Sequence, residues 1–123
     1  MKQNNIRAIL EKHPIIPVVT FHELSEVIPQ LEKLESQGVS CIEITLRTPI
    51  SFDAIAEAKR TFGQRMDIGV GTLVTNEQIE KAAKLAVDFM VSPGISKSLA
   101  PTFESWNSIY PRRCYTQRNH YRS

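Results

Sequence analysis

Apolar residues along this chain recur with two periods in turn, and that alternation predicts the fold class. Ile6, Ile9 and Leu10 fall at helical spacing before Pro14 and predict a short amphipathic helix that stops at the proline. Ile15 to Thr20 is a brief β-branched run, apolar on both faces, as a strand in a covered parallel sheet must be. From Ser25 to Leu34 the apolar Val27, Ile28, Leu31 and Leu34 share one stripe, Pro29 fits a first turn, and Gly38 supplies a stop. Val39 to Leu46 predicts a second strand, Ser51 to Phe62 a helix and Asp67 to Gly71 a third strand. Thr75 stands three residues before Gln78 at capping-box spacing, and Ile79, Ala82, Ala83 and Leu85 give the next helix its apolar face. Asp88 to Val91 predicts a fourth strand, Pro93-Gly94 a turn, and Ser96 to Glu104 the start of another helix. Four strand and helix repeats argue for a parallel α/β architecture with right-handed crossovers.

The pattern stops after Trp106. Where a fifth strand is due, only Ile109 and Tyr110 are apolar, so residues 1–107 form the patterned domain and 108–123 an irregular tail outside it. Charge separates the two in the same place. The whole chain of 123 residues carries 15 Lys and Arg against 13 Asp and Glu, a formal +2. Arg112, Arg113, Arg118 and Arg122 lie in the tail without a single acid, which leaves residues 1–107 at −2, so the basic character belongs to the tail alone.

Hydrophobic content of 41% and charged content of 23% fit one globular domain rather than a disordered polymer. No window approaches the roughly 20 apolar residues of a membrane helix, and the N-terminus lacks the apolar stretch of an export signal, so no membrane partner is expected. Cys41 and Cys114 stand apart without CxxC spacing or neighbouring histidines; neither a disulfide framework nor a metal site is expected, and a reducing cytoplasm suits them.

Candidate chemistry gathers at the ends of the strands. Along Cys41 to Arg47 the apolar Ile42, Ile44 and Leu46 point one way, and Cys41, Glu43, Thr45 and Arg47 the other. On a half-exposed strand that polar side is simply the wet face. In a sheet with helices over its apolar side it lines a second helix layer or a barrel interior, where Glu43 and Arg47 need partners or a ligand. Gly69-Val70-Gly71-Thr72 and Ser92-Pro93-Gly94 close successive strands, and either one by itself reads more readily as ordinary turn punctuation than as a functional motif. Yet Arg47, Thr72 and Pro93 all fall at the carboxyl ends of strands, where parallel α/β folds gather their ligands.

Ile16-Pro17-Val18, then Gly38-Val39 leading into Glu43-Ile44-Thr45-Leu46-Arg47-Thr48, then Gly69-Val70-Gly71-Thr72-Leu73, then Phe89-Met90-Val91-Ser92-Pro93-Gly94 together resemble one family in order and spacing. It is the family of 2-keto-3-deoxy-6-phosphogluconate (KDPG) and 4-hydroxy-2-oxoglutarate (KHG) aldolases, and the resemblance runs from about Ile6 to Asn107. It implies an α/β fold, the N-terminal half of a (β/α)8 TIM barrel with about four βα units. It also implies a homotrimer and cleavage of those keto acids to pyruvate and an aldehyde through a lysine Schiff base, with no separate cofactor. Carried onto this chain, Glu43 resembles the proton-shuttling carboxylate. Arg47 resembles the holder of the substrate carboxylate, Thr72 a hydroxyl donor to the pyruvate moiety, and Pro93 its apolar wall.

The family's nucleophilic lysine lies on the sixth strand in a Phe-Lys-Phe-Phe-Pro setting that has no counterpart in these 123 residues. Lys97, the nearest lysine after the fourth strand, is expected at a solvated helix start, where an amine is not activated. The tail has its own explanation by this resemblance. Read one nucleotide later from Asn107, available codons spell Ile-Pro-Tyr-Thr-Pro-Gly-Val-Ala-Thr-Pro-Ser-Glu-Ile, a segment of the kind this family has at its fifth strand. The expectation is a truncated copy, frameshifted over 108–123 and inactive alone, whose small-molecule partner is a keto acid (pyruvate, KDPG or 4-hydroxy-2-oxoglutarate). Two other readings stand beside it. One is a small carboxylate- or phosphate-binding module. The other is RNA binding by the basic, tyrosine-bearing tail, although the frame-slip reading favours no nucleic acid.

Overall fold

In the computed structural model, residues 16–92, 100–109 and 114–117 are described. The expected N-terminal helix around Ile6 to Leu10, the Pro93-Gly94 turn and the stretch from Ser96 to Leu99 lie outside the described residues.

Periodicity became structure with small shifts of boundary. Strand β1 (Val18–Val19) is followed by a 3-10 turn (Leu24–Glu26) and helix α1 (Val27–Ser36). Strand β2 (Cys41–Thr45), helix α2 (Ser51–Phe62) and strand β3 (Asp67–Gly71) come next. Helix α3 (Asn76–Lys84), strand β4 (Phe89–Ser92), helix α4 (Ala100–Ile109) and strand β5 (Cys114–Gln117) complete the order. Helix α1 ends where Gly38 turns left-handed at φ 91°, and the Val39 N–H donates to the Leu34 carbonyl at 3.0 Å, closing the last turn. Helix α3 opens with the expected capping box: the Gln78 N–H donates to Thr75 Oγ1 at 3.1 Å, and Gln78 Oε1 accepts from the Thr75 N–H at 3.2 Å.

All neighbouring strands pair in parallel, and their spatial order β1-β2-β3-β4-β5 is their order in the chain. Every crossover therefore steps the same way, and right-handed crossovers that step one way put every helix on one face. A doubly wound sheet would reverse its order midway; this is the consecutive half of a barrel wall. The two faces bear this out. On one, Val19, Ile42, Ile44, Ile68, Val70 and Met90 pack into a continuous core with Val27, Leu31, Ile55, Phe62, Ile79 and Trp106 from the helices. On the other, Cys41, Phe89 and Val91 form a separate apolar cluster with Ile16.

The amino ends of the strands are tied down by charge. Asp88 precedes β4, where its Oδ2 accepts from Lys59 Nζ at 3.0 Å and from the Ile68 N–H at 2.8 Å. Arg65 Nε donates to Glu35 Oε2 at 2.7 Å, linking the turn after α2 to α1, and that hydrogen bond holds the guanidinium pKa above its ordinary value. Among the described residues no helix is long and apolar enough to cross a membrane.

One expectation needs correction. The tail was expected to be irregular, yet Cys114–Gln117 pairs with β4 as a fifth parallel strand, Phe89 opposite Cys114 and Ser92 opposite Gln117. An apolar pattern was the wrong criterion for this stretch. The free side of β4 offers a row of backbone donors and acceptors, and Tyr115 and Thr116 are residue types that suit a strand.

Candidate active site

The register of β2 and β3 builds the site. Glu43 lies opposite Gly69 and Thr45 opposite Gly71, so the two side chains of β2 face a strip of β3 that carries no side chain. Both faces of β2 are covered: Cys41, Ile42 and Ile44 are fully buried, Thr45 is 4% exposed and Glu43 only 5%. The half-exposed reading of this strand is thereby ruled out. Beside Glu43 in the same layer, the Phe89 ring of β4 covers Gly69, where a Cβ would overlap it. Glu43 has a partner within the protein, as a buried carboxylate requires.

Arg47 and Thr72 stand at the carboxyl ends of adjacent strands. Arg47, two residues beyond β2, is exposed. Hydrogen bonds around Thr48 and Ser51 hold its loop. Thr48 Oγ1 donates to the Phe21 carbonyl at 2.6 Å, the Thr48 N–H donates to Ser51 Oγ at 3.1 Å, and Ser51 Oγ donates to the Thr45 carbonyl at 3.1 Å. Ser51 is thus the first residue of α2 and the clasp of the Arg47 loop. Thr72, directly after β3, is half-buried with φ 66°. A β-branched residue in that left-handed region is strained, and such strain clusters where a site needs it. Pro93 and Lys97 lie outside the described residues.

Pattern reasoning missed a hydroxyl pair in the same neighbourhood. Thr20 Oγ1, just past β1, lies 2.6 Å from Thr45 Oγ1. The alternation along β2 placed Thr45 on the polar face, but nothing in the sequence signals a partner 25 residues away. Among the described residues the lysines are Lys33, Lys59, Lys81 and Lys84, all on helices and none on the Glu43 face. No three His, Cys, Asp or Glu side chains of the described residues converge as metal ligands would.

The site thus combines a buried carboxylate with an exposed guanidinium and a strained hydroxyl residue at one end of a barrel wall, a set suited to proton transfer beside a bound carboxylate. The chain is also similar to known proteins. The 2-dehydro-3-deoxy-phosphogluconate aldolase of Treponema pallidum is 34% identical over 87 residues, covering 71% of this chain and 41% of that protein. The KHG/KDPG aldolase of Escherichia coli K12 is 28% identical, covering 79% of this chain and 45% of its own. Among solved structures, KDPG aldolase from Legionella pneumophila, with pyruvate captured as a covalent carbinolamine, superposes with a TM-score of 0.74 at 32% identity, covering 79% of this chain and 47% of that one. The KDPG aldolase of Zymomonas mobilis ZM4, at 23% identity, shares the fold with a TM-score of 0.78 over 95% of this chain and 52% of its own. The chain spans about half the length of the curated relatives it matches. A family model described as KDPG and KHG aldolase matches residues 6–110, and with it this chain belongs to the KDPG/KHG aldolase family.

Proposed function

We propose that these residues are the acid–base and carboxylate-binding half of a Schiff-base aldolase site that cleaves KDPG or 4-hydroxy-2-oxoglutarate to pyruvate and an aldehyde. The observation that carries this reading is the burial of Glu43 beside the carboxyl ends of β2 and β3, where Arg47 and Thr72 stand. In the cycle, a lysine amine condenses with the keto carbon and water leaves. Glu43 moves the protons this demands: onto the departing carbinolamine oxygen, and off the substrate hydroxyl as the carbon–carbon bond breaks. Arg47 grips the substrate carboxylate with a two-pronged, permanently charged fork. Thr72 donates its hydroxyl to the pyruvate moiety, and Pro93 forms an apolar wall.

The 123 residues contain no Phe-Lys-Phe-Phe-Pro segment, so on their own they bind pyruvate without turning over an aldol substrate. Residues 108–123 are read as an out-of-frame translation of the family's fifth-strand region; the family match ends near that boundary, three residues into the tail at residue 110. On this reading the tail arginines carry no selected role, and Cys114–Gln117 pairs with β4 because a free sheet side takes up strand-compatible backbone. Sequencing the gene tests this, and in-frame codons incompatible with the shifted reading end it.

Thermal stabilisation of the purified chain by pyruvate tests the site. Pyruvate should raise the melting temperature, and Arg47→Ala should weaken binding by about 10- to 100-fold, the loss of a charge-assisted hydrogen-bonded pair. Borohydride should trap no pyruvate adduct; an adduct on any lysine of this chain refutes the assignment of inactivity. Binding untouched by Arg47→Ala refutes the role of Arg47.

A further inference from the structure

Gly71 closes β3 opposite Thr45, two residues on from the partner of Glu43. An alanine Cβ built there would overlap Glu43 Oε2 and lie 2.8 Å from Glu43 Cδ and 3.2 Å from Cγ. Those are its three nearest atoms, so the Glu43 side chain is the first obstacle to an alanine at this position. Nor does the backbone ask for glycine: the positive-φ glycine among the described residues is Gly38, so at Gly71 an alanine meets no left-handed strain. What glycine supplies at this position is space for a carboxylate. Glu43 starts in the layer of Gly69 and Phe89 and leans along the strands toward their carboxyl ends, reaching across β3 over Gly71. Gly69 is different in kind, because its missing Cβ makes room for the Phe89 ring.

We propose that Gly71 is a positioning residue whose bare Cα is the seat of the Glu43 carboxylate, fixing the height along the barrel wall at which Glu43 exchanges protons. This rests on the proposed function for the meaning of that height, but the seat itself is a property of the fold. An alanine at position 71 leaves the strand paired and pushes the far end of Glu43 out of place, since a flexible carboxylate yields more readily than the backbone.

The test uses the 123-residue chain with glutamate side-chain carboxyl carbons labelled with 13C, the Glu43 signal being assigned by its loss in Glu43→Gln. In Gly71→Ala the Glu43 signal should move, while the remaining glutamate signals stay. Adding pyruvate should shift the Glu43 signal in the wild-type chain, and Gly71→Ala should abolish that response. A stability cycle covers the case of a variant that does not fold. Gly71→Ala should lower the melting temperature when Glu43 is present and leave it unchanged in a Glu43→Ala background. An unmoved Glu43 signal, or an equal loss of stability in both backgrounds, overturns the proposal. If pyruvate shifts nothing even in the wild-type chain, the functional reading fails, while the free-chain signal and the stability cycle still decide whether Gly71 is the seat.

Discussion

Ser51→Ala removes one oxygen and should cost more than its size suggests. Ser51 is 2% exposed and Thr45, whose carbonyl it bonds, 4%, while Thr48 is half-buried, so at least the Thr45 carbonyl is left without ready access to water. Two bonds go at once: the Thr48 N–H loses its acceptor at 3.1 Å, and the Thr45 carbonyl loses a donor at 3.1 Å; the 2.9 Å contact of Ser51 Oγ with Thr48 Oγ1 adds no third bond, because both hydroxyl protons are already given to the Thr45 and Phe21 carbonyls. Each such bond is worth roughly 1 kcal/mol net, so the pair contributes about 2 kcal/mol. Against this, alanine is the better helix former at the first position of α2, returning up to about 0.5 kcal/mol. The expected net loss is about 1.5 kcal/mol, which with a urea slope of about 1–3 kcal/mol/M lowers the unfolding midpoint by roughly 0.5–1.5 M with the slope unchanged. Because the same clasp holds the loop that carries Arg47, pyruvate binding should weaken alongside stability. A midpoint within experimental scatter of wild type would refute the accounting and show that the loop is held by other contacts.

Two further substitutions probe the scaffold. Phe62→Ala empties a fully buried position at the end of α2, with an expected loss of about 4 kcal/mol and roughly 15 °C in a thermal melt. A fall of only a degree or two would place Phe62 outside the core. Gly38→Ala separates backbone from packing, since nothing lies within 4 Å of the added carbon while φ stands at 91°. Only left-handed strain remains, so stability should drop by about 1–2 kcal/mol in denaturant unfolding, and no drop would mean that the turn after α1 relaxes freely.

Local rules made much of the fold legible. The helix from Ser51 to Phe62 and the strand from Asp67 to Gly71 coincide with their expected limits, because both combine a clear period with a nearby stop. Thr75 and Gln78 cap α3 through bonds that span only three residues, which is why spacing alone reveals them. Strand β5 was missed because a strand added along a free sheet side is held by its backbone, and backbone groups are the same in every residue. The Thr20 and Thr45 hydroxyl pair was missed for a related reason: it joins β2 to the residue just past β1, and no local pattern records who sits across a sheet.

Taken by itself, the order of residues determined the alternation of strand and helix, the division of β2 into an apolar and a polar side, and the placing of Arg47 and Thr72 at strand ends. These follow from bond geometry and side-chain period, which act over a few residues. Only the tertiary structure decided that the polar side of β2 is buried and that the strands stand in consecutive order. It also decided that the carboxylate of Glu43 rests over Gly71 on the neighbouring strand. Burial and register are relations between segments 20 to 26 residues apart, fixed by which surfaces leave water together, and a linear pattern does not contain them.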